Sequence, residues 1–126
     1  MPLFSKKSKK NLIDTDYRLV NIAYKAIEII DFSVIEGYRS ETKQNKLFKE
    51  GFTKAQFPLS PHNKKPSRAI DLLPYPFQGW ENKEQFFLLA GVIKAIAHEQ
   101  NIGIRWGGEF KSFFDGPHFE LLITEV

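Results

Sequence analysis

Residues 60–74 read "SPHNKKPSRAIDLLP" and join a polar, proline-bracketed loop to a short apolar run. The run "RAIDLLP" is the right length and composition for a buried strand, and the tight "PYPFQGW" that follows closes it. His62 precedes Asp71 by nine positions, which sets a histidine in the loop against an aspartate in the strand. A second histidine, His118, follows Asp115 by three positions in "DGPHFE", at the start of a further strand candidate, "HFELLITEV".

Working outward, Tyr17 to Ile30 carries Val20, Ala23, Tyr24, Ile27 and Ile30 at three- and four-residue steps, one face of an amphipathic helix. "FSVIEG" predicts a short strand. Ser40 is placed to cap a helix over "ETKQNKLFKE" that Gly51 ends. Residues 52–67 hold three prolines and form a long loop. Asn82 is the expected cap of a third helix, with Gln85 reaching back in a capping box. That helix runs through Phe86, Leu89, Ala90, Ile93 and Ile96 to about Gln100. "GIRW" is another strand and "GGEFKSFFDGP" a glycine-rich loop. Strands and helices mix without regular alternation, so the expected class is α+β with a small antiparallel sheet and packed helices.

The 126 residues suit a single domain, 1–126, and 42% hydrophobic content with twelve Phe is ample for a packed core. No cysteine is present, so neither disulfides nor thiolates hold the fold, and any metal is bound through nitrogen and oxygen. A net charge of +3 suits nucleic acid, an anionic cell envelope or plain solubility. "SKKSKK" within residues 1–11 is expected to be a basic, loosely ordered segment in solvent. The "NLIDTDYRLV" behind it lacks the apolar core of a signal peptide, and no stretch is long enough to insert in a membrane.

A catalytic zinc commonly takes three ligands from His and Asp or Glu, with a position left for water. His62, Asp71 and His118 make such a set, on a loop, a strand and a strand start that can converge on one sheet face. Asp115 is placed to act as a base on water, and Arg39, after the "VIEGY" strand, to stabilise an oxyanion. Plainer readings stand beside these: Asp71 as a turn cap, Arg39 as a surface cation, the histidines as structural. Glu120 is the rival base, or a hydrogen-bond partner of a ligand or of Arg39. His98, late in the third helix, is expected at the surface. Of Tyr75, Trp80, Trp106, Phe113 and Phe114, most read as core and one or two as groove lining, with Trp106 the expected substrate contact.

Taken together, "VIEGYRS" with Gln44, "SPHNKKPSRAIDLLPYP", "RWGG" and "DGPHFEL" resemble the D-alanyl-D-alanine carboxypeptidase group of zinc peptidases. Within it they are most similar to the phage L-alanyl-D-glutamate endopeptidases, which act as endolysins. The resemblance spans residues 17–123 with its motifs in order. It implies an α+β fold, Zn2+ on His62, Asp71 and His118, acid/base catalysis by Asp115 and oxyanion stabilisation by Arg39. Ser60 falls on a motif position associated with substrate binding. The His-to-Asp step is two residues longer than the usual S-x-H-x-x-G-x-A-x-D signature, with Pro66 and Ser67 near the glycine, so a widened loop is expected. Asp at 115, where carboxypeptidase relatives often carry Glu, favours the endopeptidase branch.

The resemblance implies cleavage of the L-Ala-D-Glu bond of bacterial peptidoglycan stem peptides during phage lysis. The expected enzyme is a monomer without nucleic acid, held in the host cytoplasm until a membrane lesion admits it to the wall. The alternatives are a D-Ala-D-Ala carboxypeptidase and a non-catalytic wall-binding module of the same fold.

Overall fold

The computed structural model describes residues 3–122. Along the chain run α1 (Lys6–Asn11), α2 (Tyr17–Ile27), β1 (Phe32–Glu36), α3 (Glu41–Lys49), a 3-10 turn (Pro61–Asn63) and β2 (Ala69–Pro74). Then follow α4 (Glu84–Glu99), β3 (Ile104–Trp106), a second 3-10 turn (Gly107–Glu109) and β4 (His118–Leu121). The four strands form one sheet in the order β1-β2-β4-β3, and each neighbouring pair is antiparallel. This is the expected α+β arrangement. The expected last strand is present as far as Leu121, and its positions 123–126 lie outside the described residues.

β2 is a central strand, as its continuous apolar run requires. Ile70 and Leu72 point to one face and are wholly buried, together with Phe119 and Leu121 of β4 and Val34 of β1. α2 and α4 close over that face with Leu19, Ile22, Ala23, Ala26 and Ile27 from one helix and Phe86, Leu89, Ala90, Ile93 and Ile96 from the other. Each large apolar side chain so buried contributes about 1.5–3 kcal/mol over its exposed state. The α2 stripe is rotated from the expected one: Tyr24 faces outward, and the helix stops at Ile27. Its start is firm, with the Asp16 carboxylate accepting from the Arg18 N–H and gripped by the Arg18 guanidinium.

The basic segment differs from expectation. Rather than a loose tail, residues 6–11 form α1, capped by Ser5 and followed by the buried Leu12. The reason lies in the sheet edge. β1 is an edge strand, and an unpaired edge needs cover. Ser8 Oγ accepts from the Val34 N–H at 3.0 Å, and Asn11 Nδ2 donates to the Val34 carbonyl at 2.8 Å. The lysines stay in solvent while Ser8 between them and Asn11 after them satisfy the strand.

α3 begins as the sequence indicates, with Ser40 Oγ accepting from the Lys43 N–H, and Gly51 follows it at φ 81°. α4 does not use the expected cap. Lys83 occupies the cap position without a side-chain bond. Gln85 does fold back, but as a donor to the Gly79 and Asn82 carbonyls and an acceptor from the Gln78 N–H, so it fastens the preceding loop instead.

Candidate metal centre

The site is built on the sheet face opposite the core. Directly paired residues in an antiparallel ladder share a face. Asp71 pairs with His118 across β2 and β4, and on the other side Asp71 pairs with Glu36 of β1. A bulge near Ile35 shifts the β1 register, from Val34 opposite Leu72 to Glu36 opposite Asp71. It brings Glu36 out of the core row into line with Asp71. One rung therefore carries Glu36, Asp71 and His118, and the next carries Glu120, opposite Ala69 and Arg105.

His62 comes to the same centre from the loop. Ser60 caps the 3-10 turn, its hydroxyl accepting from the His62 N–H, while Asn63 Oδ1 accepts from the Ser60 N–H. The His62 carbonyl takes the Arg39 N–H at 2.8 Å, and Nδ1 donates to the Gly37 carbonyl at 2.7 Å. The long loop after it is pinned. Ser67 exchanges backbone bonds with Asp14 and Asp16, and its hydroxyl lies 3.2 Å from the same Gly37 carbonyl. Gly37 permits this crowding, since a Cβ there would overlap the Asn11 carbonyl oxygen.

Among the described residues, His62, Asp71 and His118 form the one cluster of His, Cys, Asp and Glu with metal-ligand proximity. Asp71 Oδ1 lies 3.3 Å from His62 Nε2 and 3.2 Å from His118 Nδ1. A tetrahedral ion with bonds of about 2.0–2.1 Å spaces its ligand atoms by about 3.3 Å, so the set fits such an ion. Two further observations support the fit. His62 Nε2 is buried without a hydrogen-bond partner, a costly state unless a cation takes its lone pair. Meanwhile the outer nitrogen of each imidazole is held, Nδ1 of His62 by Gly37 and Nε2 of His118 by the Glu120 carboxylate at 2.8 Å. Those bonds fix the rings so that the remaining ring nitrogens, His62 Nε2 and His118 Nδ1, converge beside Asp71 Oδ1.

The titrations reflect this crowding. Burial opposes ionisation of Asp71, but the His118 hydrogen bond and the closeness of the His62 imidazole outweigh it and hold the carboxyl well below the usual range. Burial likewise disfavours a charged His118, yet Asp71 and Glu120 together push it up to about 9. A cation held by His62, Asp71 and His118 would take the place of the Nδ1 proton. Glu120 is lowered, chiefly by its bond to His118. Asp115 moves the other way, raised by burial and then by the charge of Asp71.

Asp115 and Arg39 flank the cluster without joining it. Both line a groove of about 630 Å³ that also contains His62, Asp71 and His118. Among the described residues no donor satisfies the Asp115 carboxylate. Its turn is tightly seated: a Cβ on Gly107 would overlap the Asp115 carbonyl oxygen and come within 3.0 Å of His118 Cβ. Arg39 is anchored by Nε on Glu36 and Nη1 on Gln44, and its Nη2 lies 3.9 Å from Asp71 Oδ2.

Other expectations fare differently. Ser60 lines the groove, but its hydroxyl is engaged in holding the His62 turn. Trp106 is not in the groove. It pairs with Phe119, which puts it on the core face, where it is 4% exposed and its Nε1 donates to the Gly116 carbonyl. The two-residue strand period gives the site face to its neighbour Arg105. Of the five aromatics singled out in the sequence, Trp80 and Phe113 line the groove, together with Phe52 and Phe110, while Tyr75 is exposed elsewhere and His98 lies at the surface. Two residues given no role by sequence reasoning matter here. Glu36 also binds Lys43, and buried Gln44 accepts from Arg39 and Asn63 while donating to the Ala55 carbonyl. The signal for Gln44 was its place after "VIEGYRS" among the motifs of the resemblance, since its burial is visible only in the fold.

Comparison with known proteins agrees with this geometry. The chain is 30% identical over 110 residues to the peptidoglycan L-alanyl-D-glutamate endopeptidase CwlK of Bacillus subtilis, an alignment covering 74% of this chain and 62% of CwlK. It thus spans less than two thirds of that relative's length. The crystal structure of the Serratia marcescens L-Ala D-Glu endopeptidase ChiX superposes with a TM-score of 0.82 at 30% identity, covering 95% of this chain and 90% of ChiX. Residues 2–122 match the family described as phage L-alanyl-D-glutamate peptidase, and the chain belongs to that family.

Proposed function

We propose that the chain is a zinc peptidase that cuts the L-Ala-D-Glu bond of peptidoglycan stem peptides. The observation that carries this reading is the convergence of His62 Nε2, Asp71 Oδ1 and His118 Nδ1, each ring oriented from behind. The family and the activities for which CwlK and ChiX are named support the choice of bond. A nitrogen and oxygen donor set of this size favours zinc over the larger oxygen-loving cations.

When bound, zinc supplies Lewis acidity, polarising a carbonyl and making water a better nucleophile. The chain's own groups do the rest. Asp115, with a raised pKa and a carboxylate open to the groove, takes a proton from the attacking water and delivers it to the departing amine. Arg39 donates to the oxygen on which negative charge develops, and Glu36 and Gln44 hold its guanidinium in place beforehand. Glu120 keeps the His118 ring oriented rather than acting as base, since its carboxylate is already engaged.

In a phage setting the enzyme acts as a monomer from within the host, reaching the wall after another protein opens the membrane. Among the described residues no helix is long and apolar enough to cross a membrane. The test is digestion of purified peptidoglycan followed by mass spectrometry of the new termini. L-alanine C-termini with D-glutamate N-termini, lost on chelation and restored by zinc, are expected. Released D-alanine would instead identify a carboxypeptidase, and no new termini from zinc-loaded protein would refute the peptidase reading.

A further inference from the structure

Trp80 stands on the groove wall with 62% of its surface exposed. One face of its indole lies on Phe86, with ring centroids 5.9 Å apart and planes 13° from parallel. Phe77 braces it edge-on at 4.9 Å. The loop that carries it is fastened by Gln85, which bonds the Gln78 N–H and the Gly79 carbonyl. The ring is therefore presented, one face backed by protein and the other open to the groove. Phe86 in turn packs against Gly116, where a Cβ would come within 2.7 Å of the ring. Trp80 sits one ring layer from the turn that carries Asp115 and His118.

A supported aromatic face of this kind suits a flat partner that offers C–H groups to the electron-rich ring, as the apolar side of a pyranose does. The chemistry of the substrate supplies one. The L-alanine of a stem peptide is amide-linked to a muramyl sugar, so the L-Ala-D-Glu bond stands a single residue from the glycan. At about 3.3–3.6 Å per extended residue, that sugar falls within the same groove as the reacting carbonyl. Charge sets the direction. The α3 side of the groove carries Arg39 and Lys54, which suit the carboxylates that begin at D-glutamate. The uncharged sugar and L-alanine are left to the aromatic side.

We propose that the exposed face of Trp80 is a stacking platform for the muramyl sugar of the stem peptide. The inference rests on the peptidase reading and adds that the glycan-linked peptide is the preferred substrate. The test compares an N-acetylmuramyl stem peptide with the same peptide lacking the sugar. In the parent, kcat/KM for the muramyl form is expected to exceed that for the free peptide by about tenfold or more, about 1.4 kcal/mol of recognition. In Trp80→Ala the ratio falls to near one, and in Trp80→Phe it is intermediate. Because the readout is a ratio, partial unfolding of a variant does not imitate the result.

A second readout needs no cleavage. Titration with N-acetylmuramyl-L-alanine should shift the indole N–H resonance of Trp80 and leave that of buried Trp106 in place. No preference in the parent, or a ratio unchanged in Trp80→Ala, together with an unmoved Trp80 resonance, overturns the platform and leaves the peptidase reading standing. A shifted resonance in protein that cuts neither peptide does the reverse. An unmoved resonance without cleavage ends both.

Discussion

Glu120 accepts a hydrogen bond from Nε2 of His118 at 2.8 Å, and that bond turns Nδ1 of the ring toward Asp71. The two residues are separated by one position on β4, so the strand period alone puts them on the same face. Removing the carboxylate frees the ring to rotate and to place its proton on the wrong nitrogen. Glu120→Ala should weaken zinc binding about 10- to 100-fold. Glu120→Gln keeps an acceptor for Nε2–H and should lose less than about tenfold. Competition against a chromophoric chelator measures both. Equal affinity in the parent and the alanine variant would mean that the ring is oriented without Glu120.

Asp115 and Arg39 are assigned to the chemistry and not to the ion, which makes them separable from the ligands. Asp115→Asn should lower kcat by about 10²–10⁴. Arg39→Ala should lower it by about 10²–10³, the usual cost of one oxyanion donor. Both variants should retain full zinc content by metal analysis, whereas His118→Ala should lose it. An Asp115→Asn enzyme with near-parental kcat would transfer the base role elsewhere. Arg39→Ala also leaves Glu36 with Lys43 as its remaining cation, so its unfolding should be measured alongside.

The run 69–74 announced a central strand because it is apolar on both faces but for Asp71, and a lone carboxylate in such a run invites a partner. The alternation of "HFEL" then put His118 and Glu120 on one face and Phe119 in the core. The same alternation, applied to "IRW", assigns Trp106 to the core with Phe119, and the expectation of a substrate contact overlooked it. Glu36 was not legible, since strict alternation places it with Val34 in the core and only the bulge brings it into line with Asp71. α1 was hidden for another reason. Its purpose is to cover the edge of β1, and which strand is an edge is a property of the whole sheet.

Gly107 permits the close approach of its turn to residues 115–118. Gly107→Ala would drive a methyl group into the Asp115 carbonyl and against His118 Cβ. Overpacking of this kind costs about 1–3 kcal/mol. A displacement of about 1 Å at Asp115 should cost activity about 100-fold, more than the lost stability explains. Activity measured well below the unfolding midpoint separates the two effects. Gly91→Ala is the control, because a Cβ there meets nothing within 4 Å and α4 should gain about 0.5–1 kcal/mol. Equal activity in the two variants would show that the 107–115 contact does not position the site.

Asp16 offers a pH test outside the candidate metal centre. The Arg18 side-chain bond lowers its pKa most, burial opposes this, and the Arg18 N–H adds to the lowering. A carboxyl whose folded pKa lies below its unfolded value of about 3.9 contributes stability that is fully present above that value. The contribution is lost as pH falls through the folded value. Asp16→Asn keeps an oxygen for the cap but not the charge, so it should be less stable than the parent by about 1 kcal/mol at neutral pH. Asp16→Ala should lose about 1 kcal/mol more through the missing cap. Urea unfolding across the acid range should show the gap between parent and Asp16→Asn closing below about pH 4. A gap of constant size down to the acid unfolding of the parent would rule out the charge as its source.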